Sequence, residues 1–249
     1  MHIIAIANQK GGVGKTATTH TLGVLLAEAG RRVLLVDADP QSSLTAAAIG
    51  YYDGPNLADV LGGSTPGRVK LAGIIQQVNQ GLDLAPAGIE LAGVELGLVS
   101  RMGRETQLTK ALAGIDYDYC LIDCPPSLGL LTVNALVAAD QVLIPTQPQA
   151  ADVRGVGLFL KTIDQIKDEL NPGLQLLGVL VTFYDTRINH HQAAIDTMTG
   201  AGLPVLNTKI GRSVKVAEAA GNQQTVITYE PHNPQAEAYR DLAKELKLI

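Results

Sequence analysis

The sequence has few cysteines, no long apolar run and no excess of positive charge, and each shortage excludes a class of protein. Its two cysteines, Cys120 and Cys124, lie four residues apart around an apolar segment with no histidine nearby. This spacing provides neither a disulfide framework nor a set of metal ligands, and it suggests a reducing compartment. No stretch approaches the roughly 18 consecutive apolar residues of a membrane-spanning helix.

The beginning of the chain, residues 1–7, is apolar but lacks the basic region and the cleavage site of a signal peptide. We therefore interpret it as a buried strand and expect a cytoplasmic protein that does not bind membranes. The formal net charge of the 249 residues is −5, which argues against a protein that coats nucleic acid through its overall field. Because salt confines charge effects to within about 10 Å, any DNA binding is expected to be local and conditional.

The chain alternates strand, turn and helix. Five apolar runs predict strands, at about 3–8, 33–36, 119–122, 141–145 and 176–182. Helices are predicted at about 16–29, 56–61, 104–113, 152–169 and 234–247. The segment 50–80, richer in Gly, Pro and Ser, is expected to contain the short helix at 56–61 and a mobile connection.

The apolar runs do not alternate with polar residues, so helices must cover both faces of each strand. The sequence therefore predicts an α/β fold, a doubly wound and mostly parallel sheet with helices on both faces. The length and the lack of an obvious linker favour one domain over residues 1–249. In such sheets ligands bind at the carboxyl ends of the strands.

The strongest motif is a glycine-rich loop between the first predicted strand and the first predicted helix, Gly11-Gly12-Val13-Gly14-Lys15-Thr16. Backbone N–H groups of such a loop surround phosphate oxygens, and the helix N-terminus adds partial positive charge. Lys15 is expected to reach the β- and γ-phosphates, and the Thr16 hydroxyl to bind Mg²⁺. The predicted nucleotide-binding residues are Lys10, Gly11, Gly12, Val13, Gly14, Lys15, Thr16 and Ala17.

A second lysine, Lys10, opens this loop, and the whole run resembles the deviant Walker A motif of the ParA and MinD ATPases. The resemblance covers nearly the whole chain and implies a P-loop NTPase fold that uses ATP and Mg²⁺. It also implies that Lys10 reaches across a dimer interface to the partner's nucleotide and is catalytic together with Lys15. The chain departs from the family at Ala17, where a second threonine is frequent, and a modest effect on nucleotide affinity is expected.

Two aspartates, Asp37 and Asp39, close the second predicted strand, and their spacing projects both the same way if the strand continues. Either could instead cap the following segment through Ser42-Ser43. The resemblance implies that Asp39 positions the attacking water and that Pro40 and Gln41 belong to a nucleotide-sensing switch. Slow hydrolysis is expected, because phosphoryl transfer needs mainly positioning and neutralisation of charge.

Asp123 ends the next apolar strand, where it is placed to hold Mg²⁺ through a water molecule. An aspartate at a strand end is often only a cap. Here it resembles the Walker B motif of the same family, and Pro125 and Pro126 would then open a second switch.

Candidate DNA-contacting residues follow from the same resemblance: Arg187, Arg212 and Lys215, with Lys209 beside them. Ordinary surface cations are the alternative interpretation of each. The segment 210–219 resembles a family loop and helix placed before the last strand, and segments 182–184 and 210–212 are candidate walls for the adenine. His190 and His191 are interpreted as surface residues.

The resemblance implies a partition ATPase: an ATP-sandwich homodimer that binds nonspecific DNA and is released when a ParB-like or other adaptor stimulates hydrolysis. It would segregate plasmid or chromosome DNA and associate with the nucleoid in the ATP state. The first strand begins at residue 2, so we expect the small ParA type without a helix-turn-helix extension.

Three alternatives remain open. ParA relatives position protein cargo, such as carboxysomes or chemosensory clusters, by the same cycle. A MinD-like membrane ATPase would need a basic amphipathic C-terminal helix, but the charges of 238–249 are mixed and favour a helix docked on the core. A metabolic kinase, or a nitrogenase-type iron–sulfur reductase that needs cluster cysteines, is less favoured.

Overall fold

Eight strands form one sheet in the computed structural model, which describes residues 1–62 and 69–249. The strands are β1 (His2–Ile6), β2 (Val33–Asp37), β3 (Gln76–Asn79), β4 (Leu82–Ala85), β5 (Tyr119–Asp123), β6 (Gln141–Thr146), β7 (Gln175–Tyr184) and β8 (Val205–Gly211). Their spatial order is β3-β4-β2-β5-β1-β6-β7-β8. All neighbours pair in parallel except β3 and β4, which form an antiparallel hairpin at one edge.

Helices cover both faces of this sheet. They are α1 (Lys15–Glu28), α2 (Ser43–Ile49), α3 (Leu57–Gly62), α4 (Leu91–Leu98), α5 (Gln107–Leu112), α6 (Leu130–Ala138), α7 (Ala150–Glu169), α8 (Asn189–Gly200), α9 (Val214–Gly221), α10 (Val226–Tyr229) and α11 (Pro234–Glu245). Within the described ranges, none of them combines the length and the apolar composition that crossing a bilayer requires.

The central strands explain why the sheet is covered twice. All five residues of β2 are buried, and alternate residues belong to opposite cores. Leu34 and Val36 pack in the core that includes residues of α3 to α8, whereas Val33 and Leu35 pack in the core with α1, α2 and α11. The predicted doubly wound, mostly parallel fold is confirmed.

The five predicted strands are confirmed, but the run 119–122, third in order among them, is β5 of the sheet. The hairpin β3–β4 precedes it: β3 lies in the segment 50–80 that was predicted to contain a connection, and β4 lies just after that segment. Its strands are only four residues long and carry polar side chains on the edge, so they lack a continuous apolar run. Residues 63–68 of the expected mobile connection lie outside the described part of the chain.

The last strand, β8, was also missed, and this corrects a second expectation. The helix in 210–219 follows the last strand instead of preceding it, because β8 ends at Gly211 and α9 begins at Val214. β8 is an edge strand whose residues are mostly half-buried. Mixed polar and apolar residues are typical of such a position. Because β8 has no continuous apolar run, it was not predicted.

The C-terminal helix is docked on the core, as its mixed charges predicted. Ala236, Tyr239, Leu242 and Ala243 of α11 are at most 1% exposed, and they pack with residues of α1 and β8. Its apolar face is therefore occupied by the protein itself.

Candidate nucleotide-binding site

The glycine-rich loop joins β1 to α1 at the carboxyl edge of the sheet. Gly12 and Gly14 have φ values of 70° and 83°, a left-handed conformation that glycine adopts without strain. Gly14 is the N-cap of α1, and its side is closed by Thr182, which a Cβ at Gly14 would approach to 3.7 Å. The loop therefore directs the first turn of α1 towards the space above the strand ends.

Three polar side chains on neighbouring strand ends hold the loop from behind. The Thr182 hydroxyl donates to the Val13 carbonyl over 2.9 Å, and the Gln147 amide donates to the Gly12 carbonyl over 2.9 Å. The Asn8 side chain accepts from the Lys10 N–H and donates to the Pro145 carbonyl. Sequence reasoning missed Asn8 and Gln147, and it placed Thr182 beside the adenine without its bond to the loop, although Gln147 follows an apolar strand as Asp123 ends one.

Lys15, Thr16 and Asp123 meet at the start of α1. The Thr16 hydroxyl donates to Asp123 Oδ2 over 2.7 Å, and Lys15 Nζ donates to the Lys10 carbonyl over 3.1 Å. Burial lowers the pKa of Lys15, an effect that the charge of Asp123 opposes. A hydroxyl and a carboxylate side by side are hard oxygen donors suited to Mg²⁺, held directly or through water.

The carboxylates of Asp37 and Asp123 lie on adjacent parallel strands, paired in register at the ends of β2 and β5. Burial raises the pKa of both groups, and the neighbouring negative charge raises that of Asp123 further. A cation at this position favours their ionised forms, which fits a magnesium site.

Asp37 and Asp39 do not point the same way, because β2 ends at Asp37. Asp37 is fully buried and turns to α2, where its Oδ2 accepts from the N–H and the hydroxyl of Thr45. Asp39 is half-buried, and its Oδ1 accepts from the Gln41 N–H. Asp37 therefore caps the segment after the strand, as the alternative interpretation allowed, but through Thr45 and not through Ser42-Ser43.

A cavity of about 560 Å³ opens beside the loop. The glycine-rich loop contributes Gly11, Gly12, Gly14, Lys15, Thr16 and Ala17 to its wall. Asp39 also lines it, as do Gln41 and Pro126 of the four predicted switch residues, whereas Pro40 and Pro125 do not. Val13 lies in the interior at 0% exposure.

The two segments proposed as adenine walls come together in the same cavity. Thr182 and Phe183 line it from the end of β7, and Ile210, Gly211 and Ser213 line it from the end of β8. β7 and β8 are neighbours, with Tyr184 paired to Gly211. The space between them and the phosphate loop fits a nucleotide that extends from the loop towards β8.

Lys10 turns away from this cavity towards α7. Its Nζ lies 2.8 Å from Asp152 Oδ1 and donates to the Gln149 side chain over 3.2 Å. The Lys10 side chain is 40% exposed, whereas that of Asp152 is 4% exposed. The lysine is therefore held in its own chain at the rim of the phosphate loop, with one side open to solvent.

The predicted DNA-contacting residues follow β7 and β8 at the same edge. Arg187 is bound to Asp185 through two hydrogen bonds, of 3.0 and 2.7 Å, and Lys215 pairs with Glu218 and Glu230. Arg212 is exposed and has no ion pair within the described residues. The structure thus brings these cations to one edge but pairs two of the three with acids.

The expectation that both histidines are surface residues is half wrong. His190 is exposed, but His191 is 7% exposed, and its Nδ1 accepts from the Asp185 N–H. Its ring also lies 6.1 Å from that of Tyr184. Packing of α8 against the end of β7 buries it, which no local pattern indicates.

The site can now be compared with known proteins. The family model described as AAA domain matches residues 1–176. The chain is 43% identical to the sporulation initiation inhibitor protein Soj of Bacillus subtilis, over 98% of this chain and 97% of that protein. It is 41% identical to the chromosome partitioning protein ParA of Caulobacter vibrioides, over 99% of this chain and 94% of that protein.

The protein belongs to the ParA family of ATPases.

One similar solved structure contains a bound nucleotide analogue. The Mycobacterium smegmatis protein called cobyrinic acid a,c-diamide synthase, with bound ATP analog and magnesium, is 40% identical with a TM-score of 0.87, over 98% of this chain and 93% of that one. The ParA family member described here is accordingly an ATPase that uses ATP and Mg²⁺.

Proposed function

We propose that this single-domain protein of residues 1–249 is a partition ATPase. In the ATP state it forms a sandwich dimer and binds nonspecific DNA, and hydrolysis stimulated by a partner releases it. The cycle would segregate plasmid or chromosome DNA, in the cytoplasm and on the nucleoid. Similarity over nearly the full length to proteins named for chromosome partitioning supports this assignment.

The observation that carries the proposal is the pair of lysines in one phosphate loop. Lys15 is buried under the loop, where it can neutralise phosphate oxygens, whereas Lys10 stands half-exposed at the rim. From the rim, Lys10 would reach the nucleotide that a second copy presents. There it would stabilise the charge that develops on the transferred phosphate.

The remaining residues complete the proposed chemistry. Thr16 binds Mg²⁺, and Asp123 holds it through water. Asp39 lies in the wall of the cavity, where it would orient the attacking water. Pro40, Gln41, Pro125 and Pro126 would then report the γ-phosphate to the dimer interface.

DNA binding is assigned to the edge formed by β7 and β8. Arg187, Arg212 and Lys215 would contact phosphates, which gives affinity without sequence preference and with strong dependence on salt. Because the patch lies beside the cavity, nucleotide and DNA would bind at the same edge of the sheet. Two copies in a dimer would double the patch, which fits a chain whose total charge is negative.

The test is binding of the purified protein to a labelled DNA duplex of arbitrary sequence, without nucleotide, with ADP and with ATP, at low and at high salt. Binding is expected only with ATP, and it should weaken as salt rises. Arg187→Ala should weaken it and reduce the slope of log affinity against log salt by about 1.

A matched control is Arg32→Ala. Arg32 is also exposed and also paired with aspartates, Asp116 and Asp118, but it precedes β2 and therefore lies at the opposite edge of the sheet. This variant should bind DNA as the wild type does. Equal losses in both variants, or DNA binding that ignores the nucleotide, would reject the assignment.

The alternative functions give different outcomes when further measurements are added. ATP-dependent DNA binding, together with transport of a protein assembly in place of DNA, would support the positioning of protein cargo. ATP-dependent sedimentation with lipid vesicles and no DNA binding would favour a MinD-like function, which the buried apolar face of α11 makes less favoured. ATP turnover stimulated by a corrinoid acid would instead favour the chemistry named for the Mycobacterium smegmatis protein.

A further inference from the structure

Asp37 occupies the centre of a buried hydrogen-bonded junction beside the switch. Its side chain is 0% exposed. Oδ2 accepts from the Thr45 N–H over 2.8 Å and from the Thr45 hydroxyl over 2.7 Å, while Oδ1 accepts from the Asp39 N–H over 3.2 Å. One carboxylate therefore joins the first turn of α2 to the backbone of Asp39.

Thr45 extends this junction to a third segment. Its hydroxyl, in a residue 2% exposed, donates its hydrogen to Asp37 and accepts from the Ala87 N–H over 3.0 Å. Ala87 follows β4, the neighbour of β2 in the sheet. The hydroxyl thus forms hydrogen bonds both to the carboxylate of Asp37 and to the loop after β4.

The connection between the two ends of this junction is under strain. Ser42 has a φ of 53°, in the left-handed region that residues with a Cβ rarely adopt. Such a conformation persists only when contacts on both sides determine it. On one side the segment is held by β2, and on the other by the bonds of Thr45 to Asp37.

The hydrogen bonds of Thr45 to Asp37 are strong enough to hold the strained segment at Ser42. Hydrogen bonds to an ionised carboxylate are roughly twice as strong as bonds between neutral groups. Both Thr45 bonds to Asp37 are short and shielded from water. Loss of the hydroxyl would leave Asp37 Oδ2 with the Thr45 N–H as its one bond to α2 and would leave the Ala87 N–H without its acceptor, which would free the segment 39–42 to relax.

We propose that Thr45 is a positioning residue for ATP hydrolysis: it fixes Asp37, and through Asp37 the backbone of Asp39. Thr45 itself is not among the residues that line the nucleotide cavity. The inference rests on the proposed role of Asp39 in orienting the attacking water. A small displacement of such a group affects the rate strongly, by as much as about 10²-fold for 1 Å.

The experiment compares Thr45→Val, Thr45→Ala and Thr45→Ser with the wild type in steady-state ATP hydrolysis. Valine replaces the hydroxyl by a methyl group and keeps the branched shape. Alanine lacks both the hydroxyl and the methyl group of threonine, and serine retains the hydroxyl but lacks the methyl group. We expect kcat to fall about tenfold in the first two variants and to recover to within about twofold in the third. The KM for ATP and the affinity for a fluorescent ATP analogue should stay unchanged in all three, because the phosphate loop is untouched.

Two references make the result decisive. Thr197→Val removes a helical threonine hydroxyl that donates to the Ala193 carbonyl on the exposed face of α8, and it should hydrolyse ATP at the wild-type rate. Asp39→Ala should lose hydrolysis, and if it does not, the proposed role of Asp39 is wrong whatever Thr45 does.

If Asp39→Ala is inactive while Thr45→Val and Thr45→Ala retain the wild-type kcat, the inference is overturned. It is also overturned if both variants lose affinity for the analogue together with kcat and serine restores neither, since that pattern describes a structural residue. Analogue binding reports folding separately, so a variant that fails to fold is replaced by the other in the comparison.

Discussion

Lys15, Asp37 and Asp123, around the ends of β1, β2 and β5, are at most 7% exposed, whereas the cations after β7 and β8 lie at the surface. The first group is satisfied by fixed hydrogen bonds, because a buried polar group without a partner is costly. Two cations of the second group, Arg187 and Lys215, form surface ion pairs, which are worth about 0–1 kcal/mol and exchange readily. One side of the site is therefore suited to chemistry, and the other to reversible contact with a surface.

The strongest expected effect lies on the buried side. Lys15→Met removes the positive charge under the loop while keeping an unbranched side chain, and ATP hydrolysis should fall by about 10²–10³-fold, as when one electrostatic contact to a transition state is lost. Single-turnover hydrolysis measures it. A rate within tenfold of the wild type would show that the buried side does not dominate the chemistry.

The second effect is a dependence of stability on pH that arises from a buried histidine of α1. Burial lowers the pKa of His20 on α1 to about 4, below its value in the unfolded chain. Above pH 6.5 the group is neutral in both states. Between pH 6.5 and 4 only the unfolded chain binds the proton, so the free energy of unfolding falls as pH falls.

His20→Gln should remove this component, which amounts to about 2 kcal/mol at pH 5. Urea unfolding of wild type and variant at pH 7.5 and pH 5 measures it as a difference of differences. The carboxylates titrate in both proteins and therefore cancel. An equal loss of stability in the two proteins would contradict the prediction.

The smallest effect should distinguish the surface cations from one another. Arg212→Ala should weaken ATP-dependent DNA binding by a few-fold more than Arg187→Ala, because Arg187 must first leave Asp185 whereas Arg212 has no ion pair in the described part of the chain. The difference should be about the strength of one surface ion pair, at most ~1 kcal/mol. Fluorescence anisotropy at one low salt concentration measures it, and equal losses would mean that the Asp185 pair does not restrain Arg187.

Features that depend on a local sequence signal could be predicted from the sequence. The phosphate loop, Thr16 and Asp123 were located because each depends on a local signal, namely glycines after an apolar strand or a carboxylate at its end. Their mutual contact follows from parallel strands ending at one edge. The fold class followed from the same apolar runs.

What escaped prediction depends on contacts between distant residues. The partner of Lys10 is Asp152, 142 positions away, and no spacing rule connects them. Asp37 turns to Thr45 because β2 ends at Asp37 and does not continue to Asp39. β8 and β3 are half-exposed edge strands, and the short β4 is interrupted by Asp83, so none of the three has the apolar run that identified the central strands.

The pairing of Lys10 with Asp152 has a consequence for how assembly responds to the amount of protein. Asp152 is attached to the same chain, so its effective concentration at Lys10 is on the order of millimolar and does not change on dilution. The nucleotide of a second copy, in the proposed dimer, is diluted with the protein. If the proposed dimer forms, Asp152 would compete for Lys10 with constant strength, whereas the nucleotide of a second copy would compete more strongly as the protein concentration rises. The pair would then raise the protein concentration that the proposed dimer needs, even when ATP is abundant.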